Sequence, residues 1–145
     1  MNLLSLLIFT PVLFGIIILI LPSSMRASYK YLTLAATLVQ LVISIAIYLH
    51  FKTGPGFAGI NHEEQFQLVQ KLPWINLDLG SAGKLQIDYF VGIDGISVTI
   101  LVMSALVMVV AAISAWEISS NLKGFFALFL LLDMAVMGVF CALDF

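Results

Sequence analysis

The chain has 145 residues, 62% of them hydrophobic and 10% charged, with a formal net charge of -2 and a mean hydropathy of +1.14. An average soluble domain is roughly half apolar and a quarter charged, so a water-soluble globular class is excluded. The thin spread of charge leaves no basic patch and excludes a nucleic-acid partner.

Long apolar runs separated by short polar stretches predict an all-α, polytopic membrane protein. The first span, Leu3 to Leu21, lacks a basic leader and has no A-x-A pattern before Pro22, so it reads as an uncleaved helix, kinked near Pro11. The turn "PSSMRASYK" leads to a second span, Tyr31 to Phe51. A loop over 52–89 follows, then spans at Phe90 to Trp116 and Phe125 to Leu143. Each is long enough to cross about 30 Å of hydrocarbon at about 1.5 Å per residue. All six Lys and Arg residues fall outside the spans.

Within the loop, "INLDLGSAGKLQIDYF" alternates apolar residues: Ile75, Leu77 and Leu79 before the turn Gly80 to Gly83, then Leu85, Ile87 and Tyr89 after it. That is the period of a β-hairpin with one greasy face. A lone hairpin is marginal in water, so the face is expected on neighbouring helices or another subunit, with Trp74 at headgroup level. Arg26, Lys30 and Lys123 lie in the two short turns, and the positive-inside rule puts those turns inside and the N-terminus and hairpin loop outside. Cys141 reads as a packed small residue of the fourth span, and His50 and His62 lie outside the hydrocarbon, too isolated for a metal site.

The third span opens "YFVGIDGISVTILVM". The motif Gly92, Ile93, Asp94, Gly95, Ile96 and Ser97 resembles the start of the third helix in the antiporter-like proton-pumping subunits of respiratory complex I, most closely the chain M type. "LLLDMAVMGVFCALDF" looks like that family's fourth helix running into "ALDxF", and "LLIFTPVLFGIIILILP" looks like its opening helix, so the motifs lie in order along nearly the whole chain. The resemblance implies the first four helices of an antiporter-like membrane domain whose two inverted five-helix repeats are incomplete here. The chain would then be a fragment: a truncated gene product, an incompletely translated frame or a partial piece. The Phe-Trp-Glu of the family's fifth helix, whose glutamate is its key proton-channel carboxylate, and the lysines of later helices lie beyond these motifs.

The resemblance further implies a multi-pass subunit of a proton-pumping NADH:quinone oxidoreductase in a bacterial cytoplasmic (inner) membrane. Its partners would be the other membrane subunits, including neighbouring antiporter-like chains, and the lipid bilayer. NADH, FMN, iron-sulfur clusters and quinone would be held elsewhere in the complex, since this chain shows no Cys cluster and no glycine-rich phosphate loop. Two alternatives stand beside this reading: a subunit of a multisubunit sodium/proton antiporter, which shares the third-helix motif, and a non-transporting structural membrane piece.

Four acids are candidates for chemistry. Asp133 falls about nine residues, roughly 13 Å, into the fourth span, where an aspartate costs about 2.5 to 3.5 kcal/mol on insertion scales. Lys123 is ten residues earlier and too far for an ion pair. Asp133 is therefore either a proton-path residue facing further helices, or a neutral acid hydrogen-bonded to a backbone carbonyl or a nearby Ser. Asp144, eleven positions on, returns to the face of Asp133, Met137 and Phe140, and is a second proton-path candidate. Ala135, Gly138 and Ala142 form a small-residue stripe suited to close helix packing. Asp94, placed four or five residues into the third span, near the outer end it shares with Asp144, is read first as a cap for exposed N–H groups and second as a proton carrier. Glu117 sits where the family often carries an acid linked to coupling, and is a candidate for proton uptake or else a solvated surface acid.

Overall fold

In the computed structural model, residues 3–22, 25–51, 67–78 and 84–143 are described, with residues 26, 74–78 and 84–87 described for their backbone alone. The elements in order are helix α1 (Leu3–Ile20), helix α2 (Arg26–His50), strands β1 (Gln67–Asp78) and β2 (Lys84–Ile93), helix α3 (Gly95–Ser114), a 3-10 turn (Ala115–Glu117) and helix α4 (Leu122–Cys141). All four α-helices are long and apolar enough to cross a membrane, and the chain is a multi-pass membrane protein. α1 packs on α4 and α2, and α2 packs in turn on α3.

α1 runs unbroken through Pro11. Proline supplies no N–H to the preceding turn, and one residue earlier the Thr10 hydroxyl donates back to Leu6 O at 2.6 Å. α2 starts at Arg26, five residues before the apolar run does. Its first turn is held to the backbone just past α1: Tyr29 Oη donates to Pro22 O at 2.9 Å.

The third helix departs from its predicted start. Residues 90–93 do not open it; they close β2, and α3 begins at Gly95 with Asp94 as its N-cap. Hydropathy treats "FVGI" as more span, but its backbone groups are taken by strand pairing. Val91 faces Gln70 across the hairpin, and Leu143 N donates to Phe90 O at 3.0 Å from the segment after α4.

The hairpin is antiparallel, as the alternation predicts, with Ile75 opposite Ile87 and Leu77 opposite Leu85. Two register shifts, between Gln67 and Gln70 and between Pro73 and Ile75, mark bulges. Bulges bend and twist a strand, and Leu68 in the first has a positive φ of 56°. The hairpin base reaches the helices: Val91 and Ile93 are buried in the core, and Leu68 and Tyr89 pack against it. Ser5 of α1 donates to Gln70 Oε1 at 2.6 Å. Leu79 and the turn Gly80 to Gly83 lie outside the described residues, as does the side chain of Trp74.

The core divides into two apolar clusters stacked along the bundle. One, at the hairpin end, includes Leu7, Ile47, Ile93, Leu101, Met137 and Cys141. The other, at the opposite end, includes Ile18, Tyr29, Ala36, Phe126 and Leu130. α1, α2 and α4 contribute to both, so the level between them is where these three helices bring together whatever lies midway along their buried faces.

Candidate functional site

That middle level is polar. α4 buries Leu122, Phe126, Leu130, Asp133, Met137 and Cys141, a four- and three-residue spacing that keeps one face inward. Asp133 is the twelfth of twenty residues in the helix, has 0% exposure, and lies between Leu130 of one cluster and Met137 of the other. α2 buries Thr33, Thr37, Gln40 and Ser44 at spacings of four, three and four, each with 0% or 1% exposure. Its polar stripe therefore faces the same interior.

Gln40 meets Asp133 across the bundle. One terminal atom of the Gln40 amide lies 3.0 Å from Oδ1 and 2.5 Å from Oδ2 of the carboxyl, and with nitrogen at that position the amide donates to both. The assignment follows from the partners, because an amide oxygen set against an ionised carboxylate would bring acceptors together. The buried hydroxyls behave differently. Thr33 donates to Tyr29 O at 2.9 Å, Thr37 to Leu34 O at 3.0 Å and Ser44 to Leu41 O at 2.8 Å, each within its own helix.

This corrects both expectations for the partner of Asp133. The acid is fully buried within this bundle and faces α2. Its partner is a carboxamide, neither a backbone carbonyl nor a serine. In a hydrocarbon layer such an interhelical hydrogen bond contributes about 0.6 to 2 kcal/mol and ties α2 to α4. Gln40 escaped the sequence reading, although its signal was present: "TLAATLVQLVIS" places Thr33, Thr37, Gln40 and Ser44 on one helical face.

The other candidates lie elsewhere. Asp94 precedes α3 instead of lying inside it, and its Oδ1 accepts from Ser97 N at 2.6 Å, satisfying one of the free N–H groups of the first turn. Gly92 is explained by crowding: a Cβ there would lie 2.6 Å from Leu143 Cδ1 and 3.2 Å from Val69 Cγ2. Gly95 is not crowded, a Cβ meeting only Phe51 Cε1 at 3.9 Å. Glu117 is exposed in the 3-10 turn, and the start of α4 lies about 16 Å along that helix from Asp133, so the two acids are not brought together. Asp144 lies outside the described residues, so its approach to Asp94 is not described either; Ala142, two residues before Asp144, bridges to Val91. The small-residue stripe is not a close contact within this chain: Ala135 is exposed, and a Cβ on Gly138 would meet nothing within 4 Å.

Lys30 and Lys123, which the structure places near the starts of α2 and α4, are engaged. Lys30 Nζ donates to Trp116 O at 2.5 Å, and Lys123 Nζ donates to Leu21 O at 3.1 Å. Each places a cation on carbonyls just past a helix C-terminus, where the helix dipole favours it. Their position at one end of the bundle thus has a structural cause. Among the described residues, no three His, Cys, Asp or Glu side chains are grouped to hold a metal.

No protein-family model matches the chain. Curated relatives do. The chain is 28% identical over 142 residues to NADH-ubiquinone oxidoreductase chain 4 of Arabidopsis thaliana, a match covering 97% of this chain and 26% of that one. It is 28% identical over 148 residues to NADH-quinone oxidoreductase subunit M of Rhodobacter capsulatus, covering 99% and 25% respectively. With NAD(P)H-quinone oxidoreductase chain 4 of Prochlorococcus marinus the identity is 29% over 143 residues, covering 97% and 24%. The chain spans about a quarter of the length of these relatives. Over nearly its whole length it is similar to the subunit M or chain 4 class, the resemblance its helix motifs indicated.

Proposed function

We propose that this chain is part of a membrane subunit of a proton-translocating NADH:quinone oxidoreductase, of the subunit M or chain 4 class. The observation that carries this reading is a fully buried, hydrogen-bonded acid at mid-span in a chain similar over 97% of its length to proteins of that name. An acid enclosed at that depth is costly, and ionisable groups inside membrane helices mark proton and ion paths. Asp133 is the proton-path residue of this segment, with Glu117 and Asp144 as candidates nearer the two surfaces. Redox chemistry belongs to other subunits, which carry the flavin, iron-sulfur clusters and quinone site. The partners of this chain are the neighbouring membrane subunits and lipid.

The subunit sits in the bacterial cytoplasmic membrane with its N-terminus and hairpin outside. Supporting that orientation, Lys30 and Lys123 lie near the starts of α2 and α4, at the end opposite the hairpin. The test is NADH-driven proton uptake by inverted membrane vesicles carrying Asp133→Asn, beside NADH oxidation by a soluble acceptor. Weakened uptake with unchanged oxidation is expected. Unchanged uptake removes Asp133 from the path, and a sodium-driven pH gradient independent of NADH would assign the chain to a sodium/proton antiporter instead.

A further inference from the structure

The buried hydroxyls of Thr10, Thr33, Thr37 and Ser44 are each satisfied within their own helix. Asp133 and Gln40 are not; they satisfy each other between α4 and α2. Among the described residues, the four helices bring no other charge to the level of the acid. α1 carries no titratable side chain, α2 has none between Tyr31 and Tyr48, and α3 has none from Gly95 to Ser114. On α4 the others are Lys123, engaged at Leu21 O, and Cys141, buried two turns away in the hairpin-end cluster. The carboxyl therefore answers to one polar neighbour, and that neighbour is an amide.

We propose that Gln40 is a positioning residue for a proton-binding site at Asp133, its terminal amide turning over as the carboxyl gains or loses a proton. When Asp133 is a carboxylate, the Gln40 NH2 group stands against it and donates to both oxygens, the arrangement at 3.0 and 2.5 Å. When a proton adds to one carboxyl oxygen, that oxygen becomes a donor and needs an acceptor at the same place. Half a turn about the last side-chain bond of Gln40 supplies it, because the carbonyl oxygen and the NH2 group of an amide are nearly equal in shape. No helix has to move. The carboxyl then keeps a hydrogen-bonded neighbour in both protonation states, and is spared the cost of standing unpaired in an apolar layer.

The use of this device in transport rests on the proposed function, but its chemistry can be read separately. The experiment is pH-difference infrared spectroscopy on the protein purified with the subunits it assembles with, in lipid nanodiscs, with 15N-labelled glutamine side chains. The carboxylic-acid C=O band missing in Asp133→Asn belongs to Asp133, and the labelled amide band missing in Gln40→Met belongs to Gln40. The expected result is that the Asp133 band disappears with rising pH and the Gln40 amide band shifts over the same interval. In Gln40→Met, the Asp133 band moves to higher wavenumber. Gln40→Asn, one methylene too short to reach, is expected to do the same if the methionine variant does not fold.

An amide band that stays fixed while Asp133 titrates overturns the inference. So does an Asp133 band that ignores the substitutions, or one that never changes with pH. Proton uptake driven by NADH, measured on the same variants in vesicles, separates the two readings. Uptake that does not depend on Asp133, beside a coupled amide shift, removes the transport role and leaves the switch. Dependent uptake without the shift does the reverse.

Discussion

Gly92 and Leu143 meet at the foot of the hairpin so closely that a Cβ on the glycine would lie 2.6 Å from Leu143 Cδ1. The contact joins the end of β2 to the segment after α4, where Leu143 N also donates to Phe90 O at 3.0 Å. A glycine that a sequence motif marks only as recurrent therefore has a steric reason in this chain.

Gly92→Ala is expected to destabilise the protein by about 1 to 3 kcal/mol, the usual range for overpacking. Leu143 can yield, being a flexible side chain, so Leu143→Ala in the same background should recover part of the loss. Thermal unfolding of the four proteins in a double-mutant cycle reads the coupling. Additive effects would mean that the two residues do not share the crowded space.

Asp94→Ala removes the side-chain acceptor from Ser97 N and should cost about 0.5 to 2 kcal/mol. Asp94→Asn and Asp94→Ser keep an acceptor and should retain most of the stability. Hydrogen exchange at the Ser97 amide gives the local readout: it speeds up in the alanine variant and stays slow in the other two. Loss of proton transport in Asp94→Asn and Asp94→Ser, which keep the cap, would instead point to a role for the ionisable carboxyl.

Asp133→Leu leaves the Gln40 amide buried without its partner, at an expected cost of about 1 to 3 kcal/mol. Pairing it with Gln40→Leu removes both polar ends together and should return much of that stability, as when buried polar pairs are replaced by apolar groups of similar shape. Unfolding of the single and double variants in the same detergent decides it. A double variant no better than the single would show that the amide has another partner.

Lys123→Met takes the ammonium from Leu21 O, and Lys30→Met takes one from Trp116 O. Each is expected to cost about 0.5 to 1.5 kcal/mol through the lost hydrogen bond, because a carbonyl beyond a helix end loses its donor. Scanning thermal denaturation measures the loss. Reporter fusions at the N-terminus measure topology in the same strains, and Lys→Met changes that invert the protein without destabilising it would show that charge distribution, not capping, is their main role.

Much of the architecture was legible before any coordinates. Four apolar runs of membrane length, with every Lys and Arg outside them, leave helices as the solution because hydrocarbon offers backbone groups no other partner. The alternation around Gly80 to Gly83 likewise forecast the hairpin, since strand period is a local property, but not its register. The depth of Asp133 followed from counting along one helix.

What tertiary structure alone decided was which residues from different elements meet. Hydropathy carried the third span back to Phe90, because "FVGI" is as apolar in a strand as in a helix; only pairing with β1 and with the segment after α4 makes it β2 and leaves Asp94 as a cap. The stripe of Thr33, Thr37, Gln40 and Ser44 was written in the spacing of α2, yet that spacing carries no information about the partner helix. Only the packing of α2 and α4 at the level between the two apolar clusters sets the Gln40 amide against the Asp133 carboxyl. A helical period determines the face on which a side chain lies; the rotation and height of one helix against another, a property of the whole bundle, determine what that face touches.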